Sequence, residues 1–227
     1  MSTTEIAPRF TLYSYWRTSA TYRIRVVLNL KGVAATEVNI NLDTGEQRSE
    51  AFLKINPMGA IPALIDNEAG QSHVPLTQSQ AILEFLEEAY PNPALLPNNL
   101  HGRARVRSIV AMLAADTHPM FTPRVRKYLT STAKFDDVAW KAWQTQWFTV
   151  GLQALEARLV SDKATGKFCH GDTITMADIC LASIIVVMRV FKIEVANIPT
   201  VLRIMAECEQ LEAFAKADPK KQIGAPE

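Results

Sequence analysis

The chain has 227 residues, enough for one or two domains, and its 48% hydrophobic and 21% charged content is that of an ordinary globular protein. A net charge of +1 gives no basis for attraction to nucleic acid or to an acidic membrane surface. No apolar run reaches the ~18 residues of a membrane span. The opening MSTTEIAPRF lacks the charged-then-apolar form of a secretion signal. Cys169, Cys180 and Cys208 are odd in number, scattered and form no CxxC pair. We expect three small buried hydrophobes in a reducing, cytoplasmic compartment and no disulfide frame.

Residues 1–8 read as a loose tail. Phe10 to Ser14 alternates as a strand, and Tyr15 to Ala20 is a polar loop. From Thr21, the positions of Ile24, Val27, Leu28 and Leu30 predict a helix that Gly32 stops. Val38, Ile40 and Leu42 alternate as a second strand, and residues 43–55 form a polar connector with a short helix around Phe52. Ala63-Leu64-Ile65 is a third strand, reached through Ile61-Pro62. Asp66 to Gly70 is a turn, and Val74 and Leu76 start a fourth strand. Ala81, Ile82, Phe85, Leu86, Ala89 and Tyr90 then recur at helical spacing, with Glu84, Glu87 and Glu88 on the other face. A strand–helix–strand start implies a parallel pair with a right-handed crossover, and the hairpin adds an antiparallel edge. This order predicts a thioredoxin-like α/β unit with ligands beyond the end of its first strand.

Pro91-Asn92-Pro93 and Pro97-Asn98-Asn99 mark a linker, dividing the chain into residues 8–91 and 98–227. The second part reads as all-α, with helices near 102–130, 136–160, 175–190 and 200–216. Pro119 and Pro123 should kink or end the first of these. Asp136 is placed to cap the second, whose Trp140, Trp143 and Trp147 fall at packing intervals. Thr175-Met176-Ala177-Asp178 is a capping box before an apolar helix, a feature of stability rather than chemistry.

Two places carry possible chemistry. Pro62 cannot donate to a ladder, so it stands at a strand start or in a cis turn. A cis bond would turn the N–H and C=O of Ile61 outward, toward an extended peptide-like ligand. Ser79, after Gln78, reads as an N-cap whose free N–H groups attract carboxylates; a plain hairpin with a capped helix is the simpler reading of the stretch by itself. The loop Thr18-Ser19-Ala20-Thr21 holds no thiol, which excludes disulfide exchange there. Its hydroxyls at a helix N-terminus suit stabilisation of a bound thiolate, or simple capping. His73, His101, His118 and His170 are far apart and show no metal-ligand spacing. His118, before Pro119, reads as a structural or partly exposed residue at a kink.

Taken together, YSYWRTSATYRIR (Tyr13–Arg25), Asn56-Pro57-Met58, Ile61-Pro62-Ala63-Leu64, Gln78-Ser79-Gln80-Ala81-Ile82, and Gly171-Asp172 through Asp178 resemble the zeta-class glutathione transferases. That class includes maleylacetoacetate and maleylpyruvate isomerases. The likeness runs from about Phe10 to Phe214. It implies a glutathione transferase fold, with a thioredoxin-like glutathione-binding unit and a helical substrate-binding unit. By resemblance, Pro62 is the cis-proline and Ile61 meets the cysteinyl part of glutathione. Gln78 and Ser79 meet the γ-glutamyl end, Gln47 lies near the glycyl end, and His118 reaches the same site. Thr18 and Ser19 match the hydroxyl pair that stabilises the glutathione thiolate, and Arg17 matches an arginine near the substrate carboxylates. The sequence departs from the family at Ala20, where a cysteine is usual. It departs again at Val190, where an arginine usually precedes the Phe-Lys or Phe-Gln pair; here Arg189 stands one place earlier. A one-residue shift turns a helical side chain by about 100°.

The resemblance implies a glutathione-dependent cis–trans isomerase of maleylacetoacetate or a related maleyl acid, in aromatic amino-acid catabolism. The partners it implies are glutathione, a small dicarboxylate or other electrophile, and a second copy of the chain in a homodimer. Two other readings are a transferase that conjugates electrophiles and a non-catalytic binding module of the same fold.

Overall fold

A computed structural model describes residues 7–70 and 74–226. The first six residues of the tail and His73 lie outside the described residues. Strand β1 (Phe10–Ser14) buries Phe10, Leu12 and Ser14 and leads into helix α1 (Ser19–Lys31). Gly32 ends α1 in the left-handed conformation (φ 66°) and returns the chain to β2 (Ala35–Asn39), parallel to β1. A short helical turn at Glu46–Arg48 and α2 (Glu50–Ile55) follow. Strands β3 (Ala63–Asp66) and β4 (Leu76–Thr77) complete a sheet of order β2-β1-β3-β4, with β3 antiparallel to both neighbours. Helix α3 (Ser79–Ala89) packs beside α1, and Ile24, Val27, Leu64, Ile82 and Leu86 are excluded from water between helices and sheet. The thioredoxin-like layout expected from the alternating and helical patterns is the one observed.

The second strand lies earlier than its alternation predicted. Asn41 explains the shift: its Oδ1 accepts the N–H groups of Asp43 and Thr44, which bends the chain out of the sheet before Leu42. Leu42 is thereby delivered to the cavity described below.

The remainder is helical: α4 (Leu100–Ala111), α5 (Pro123–Ser131), α6 (Asp137–Ser161), α7 (Met176–Val190), α8 (Pro199–Glu209) and α9 (Glu212–Lys216). The helix predicted over 102–130 is three pieces. After α4 the chain widens into a π-helical turn at Met112–Thr117, tightens at His118–Phe121 and restarts at Pro123. Pro119 and Pro123 bring no N–H to that stretch, as their positions predicted. Thr117 Oγ1 bonds the Met112 carbonyl across the wide turn (2.7 Å), and Gly151 of α6 packs against it. A Cβ on Gly151 would lie 2.4 Å from that oxygen, so glycine is required for this approach. The predicted 200–216 helix also breaks, at Gln210-Leu211 between α8 and α9.

Asp136 caps α6 through the Ala139 N–H, and the capping box closes α7, with Asp178 accepting the N–H groups of Thr175 (2.8 Å) and Cys169 (2.7 Å). Helix α7 is buried almost all round and packs on α1, α4 and α8, so one apolar cluster runs through both halves. The three cysteines are buried and unpaired, and burial raises their thiol pKa values. Trp143 packs in the predicted stripe and donates to the Met120 carbonyl (2.6 Å).

The stretch between α3 and α4 is held down. Glu87 accepts the N–H groups of Leu95 (2.9 Å) and Leu96 (3.2 Å) and pairs with Lys31, which also donates to the Pro93 carbonyl. The Leu95 carbonyl in turn accepts the first N–H of α7, from Met176 (3.0 Å).

Candidate active site

Two cavities open where the C-terminal end of β1 faces the 118–130 segment. The first, about 210 Å³, is bordered by Thr18 and Arg23 of the β1–α1 region, Gln47, Ile61, Gln78 and Ser79. His118 and Arg124 close it from the helical half. The second, about 290 Å³, is bordered by Arg17, Thr18, Ser19 and Asp43 on one side. Arg126, Lys127, Trp140 and Phe191 border it from the helical half. Thr18, Leu42, His118, Thr122 and Pro123 border both, so the cavities adjoin along that line.

The peptide bond between Ile61 and Pro62 is cis. Among the described residues, the main-chain N–H and C=O of Ile61 have no hydrogen-bond partner. Gly59, at φ 56°, lets this loop pass the connector closely: a Cβ there would sit 2.8 Å from the Gln47 carbonyl oxygen. The close pass seats Gln47 at the cavity, with its Oε1 buried and unpaired.

Helix α3 begins differently from the expectation. Gln78, not Ser79, is the N-cap, and it takes the left-handed φ of 67° without a side-chain capping bond. A non-glycine residue there carries a strain of order 1–3 kcal/mol, a cost found at ligand-holding positions. Ser79 occupies the first helical turn, buried, and its Oγ accepts a bond from Arg23 Nη1 (3.1 Å).

Arg23 was not singled out by the sequence. Its side chain is 1% exposed, its Nε donates to Ser183 Oγ (2.8 Å), and its Nη2 is buried with no partner. Among the described residues no carboxylate is bonded to this guanidinium, and burial lowers its pKa. His118 stands edge-on to Phe121, and burial, with Arg23 and Arg124 nearby, holds its pKa down at about 3. The ring is therefore neutral through the physiological range.

The two candidate hydroxyls differ. Thr18 is the N-cap residue of α1 but makes no capping bond; its Oγ1 lies 2.7 Å from Thr21 Oγ1 and 3.4 Å from the Tyr15 carbonyl. Ser19 Oγ is buried and has no partner among the described residues. Both sit at the α1 N-terminus, where main-chain N–H groups and the helix dipole favour negative charge.

Arg17 pairs with Asp43, which also accepts the Tyr15 hydroxyl, and lies over the Tyr15 and Trp16 rings. Arg189 is not brought to this site. It pairs with Glu209 on α8 and borders neither cavity. The helix explains why: α7 presents Val187 and Phe191, four residues apart and so on one face, to the second cavity. Arg189 lies two residues from each, and points the other way. Arg126, Lys127 and Trp140 border the site and were not foreseen; the Pro123-Arg-Val-Arg-Lys run was the signal available.

Among the described residues, no group of three or more His, Cys, Asp or Glu could hold a metal ion, and no helix is long and apolar enough to cross a membrane.

A thioredoxin-like sheet with a cis-proline, a hydroxyl-bearing α1 N-terminus and a helical second half defines the glutathione transferase class. The family model described as the N-terminal domain of glutathione S-transferase matches residues 8–88. The chain is 38% identical to a maleylpyruvate isomerase of a Ralstonia species, over 93% of this chain and 97% of that one. It superposes on a maleylacetoacetate isomerase from Methylobacterium extorquens AM1, crystallised with malonate and GSH, with a TM-score of 0.91 and 44% identity over 96% of this chain and all of that one. The Anaeromyxobacter dehalogenans maleylacetoacetate isomerase with bound dicarboxyethyl glutathione and citrate gives a TM-score of 0.85 at 36% identity, covering 97% of this chain and 99% of that one. The chain belongs to the family of zeta-class glutathione transferases and maleylacetoacetate or maleylpyruvate isomerases.

Proposed function

We propose that this protein is a glutathione-dependent cis–trans isomerase of maleylacetoacetate or a related maleyl acid. The observation that carries the reading is the position of Thr18 on the line where the two cavities adjoin. One cavity offers what an extended tripeptide needs, and the other offers cations and an apolar wall for a small diacid.

The first cavity fits glutathione by its own unmet polar groups. The Ile61 main chain, Gln47 Oε1 and Arg23 Nη2 border it without partners. Residues 8–91 would hold the tripeptide through Gln47, Ile61, Gln78 and Ser79, with His118 contributed by the 98–227 part. Bound glutathione supplies a thiolate for reversible addition to the cis double bond.

Thr18 turns to the sulfur the hydroxyl hydrogen that it otherwise gives to Thr21 and holds the sulfur anionic, while the Thr21 hydroxyl donates to Thr18 in return and fixes its rotamer. Ser19 Oγ, unpaired at the second cavity, is a second donor. Neutral His118 adds no charge that would compete for the thiolate. Arg17, beside the same cavity, holds a substrate carboxylate by charge-assisted bonds. The ligands bound in the relatives, GSH with malonate in one and dicarboxyethyl glutathione with citrate in the other, support this division into thiol and diacid sides. A cytoplasmic homodimer serving aromatic amino-acid catabolism is part of the proposal.

The test is turnover of maleylacetoacetate with and without glutathione. The reading requires a fumaryl product only when glutathione is present. Absence of product under both conditions, beside normal conjugation of a haloaromatic, would overturn it.

A further inference from the structure

We infer that this chain takes the far carboxylate of its substrate on the basic face of α5, through Arg126 and Lys127, and not on a cation from α7. The inference rests on the isomerase reading and assigns the residues that hold the second carboxylate. Three observations point the same way.

The α7 wall of the second cavity is apolar. Val187 and Phe191 face it, while Arg189 is turned to the opposite side and held by Glu209. Val190 stands where the resemblance leads one to expect an arginine. An anion lodged against that wall would lose water without gaining a partner.

The cations come from other elements of the lining. Arg17, Arg126 and Lys127 border the cavity, and Asp43 is the one anionic residue that does. Arg17 and Asp43 are bonded to each other, so the surplus positive charge belongs to α5. Arg126 is partnered by Asp137 at 3.0 Å, but their side chains are 51% and 91% exposed. An exposed pair of this kind is weakly held and is readily exchanged for a better anion. Lys127 Nζ has no partner among the described residues.

The surface between is suited to a carbon chain. Phe121 and Trp140 border the same cavity as Thr18 and the α5 cations. The Arg126 guanidinium lies 6.0 Å from the centroid of the Trp140 ring. The site thus combines hydroxyls for the reacting sulfur, an apolar surface and the α5 cations in one cavity. That combination suits a four-carbon cis-enoyl acid extended by a short keto chain ending in a carboxylate.

The test compares maleylpyruvate with maleylacetone, which keeps the cis double bond and its carboxylate but lacks the far one. Arg126→Gln with Lys127→Gln should lower kcat/KM for maleylpyruvate by about 10- to 100-fold, chiefly through KM. Turnover of maleylacetone should stay within about twofold of the unaltered protein, because only the far-end charge is lost. Arg189→Gln should change neither. An equal fall on both compounds, or no fall on maleylpyruvate, overturns the inference. A binding arm keeps the two readings separate. Adipate and hexanoate are titrated calorimetrically into the glutathione-saturated protein, whether or not turnover occurs. Tighter binding of adipate that disappears in the double variant supports the basic far end; the same preference in both proteins overturns it. Failure of the unaltered protein to isomerise either maleyl compound overturns the isomerase reading alone.

Discussion

Replacing Thr18 by valine removes one hydroxyl and keeps the shape of the side chain. Two consequences follow from the structure. The Thr21 hydroxyl, fully buried, loses its 2.7 Å partner. A buried polar group left unpaired costs about 1–3 kcal/mol. For a chain of this size each kcal/mol lowers Tm by about 2–4 °C, so the fall should be between about 2 and 12 °C. The glutathione thiolate loses its donor, and removal of one such preorganised donor typically costs about 100- to 1,000-fold in kcat. The pKa of the bound thiol should rise by about two units, since each unit corresponds to ~1.4 kcal/mol. Ultraviolet absorbance of the thiolate, titrated with glutathione bound, reads that shift directly. Thr18→Ser should restore both rate and thiol pKa. Ser19→Ala should behave oppositely in stability: its Oγ is buried with no partner, so its loss should leave Tm equal or raise it by about 2–4 °C. Near-normal turnover and an unmoved thiol pKa in Thr18→Val would refute the assignment of the thiolate donor. A larger rate loss in Ser19→Ala than in Thr18→Val would reverse the roles of the two.

Further tests address the residues around that hydroxyl. Burial, Arg23 and Arg124 hold the folded His118 at about 3 instead of its ordinary 6.5, so the unfolded chain takes up the proton first as pH falls. The stability at stake is intact above about pH 6.5 and is lost toward pH 3, by at most ~1.4 kcal/mol per pH unit. His118→Gln should flatten Tm against pH in that window, and superimposable curves would show that the folded ring protonates freely. Asp178→Ala strips the buried N–H groups of Cys169 and Thr175 of their acceptor. Chemical denaturation should show a loss of about 2–4 kcal/mol, and a loss under 1 kcal/mol would deny the box a structural role. Arg23→Gln removes the buried cation behind Ser79, so KM for glutathione should rise about tenfold or more with little change in kcat. An unchanged KM would show that the guanidinium serves packing alone.

The sheet and its helices were legible because their signals are local. Alternation marked β1 and β4, a short apolar run marked β3, and helical spacing marked α1 and α3. What escaped the sequence depends on single side chains or on facing. Asn41 ended β2 through its own amide, and no alternation reports that. The π-helical turn before His118 exists because α6 packs against Thr117 at Gly151, a contact between residues far apart in sequence. Pro62, Thr18, Ser19 and Gln78 could be singled out because proline, clustered hydroxyls and a helix start leave marks in the sequence. Arg23 could not, since a buried arginine in an amphipathic helix reads as a solvated one. Arg189 was chosen by its nearness to a familiar position, and the two-residue offset from Val187 and Phe191 carried it to the far side of α7.

The bonds that Glu87 and Lys31 make to the chain at 93–96, continued through Leu95 to α7, leave no free joint between the halves. Parting them would tear several main-chain groups from their partners at once. Helix α5 is different: it starts at Pro123, none of its described residues is fully buried, and it carries Arg126 and Lys127 to the second cavity.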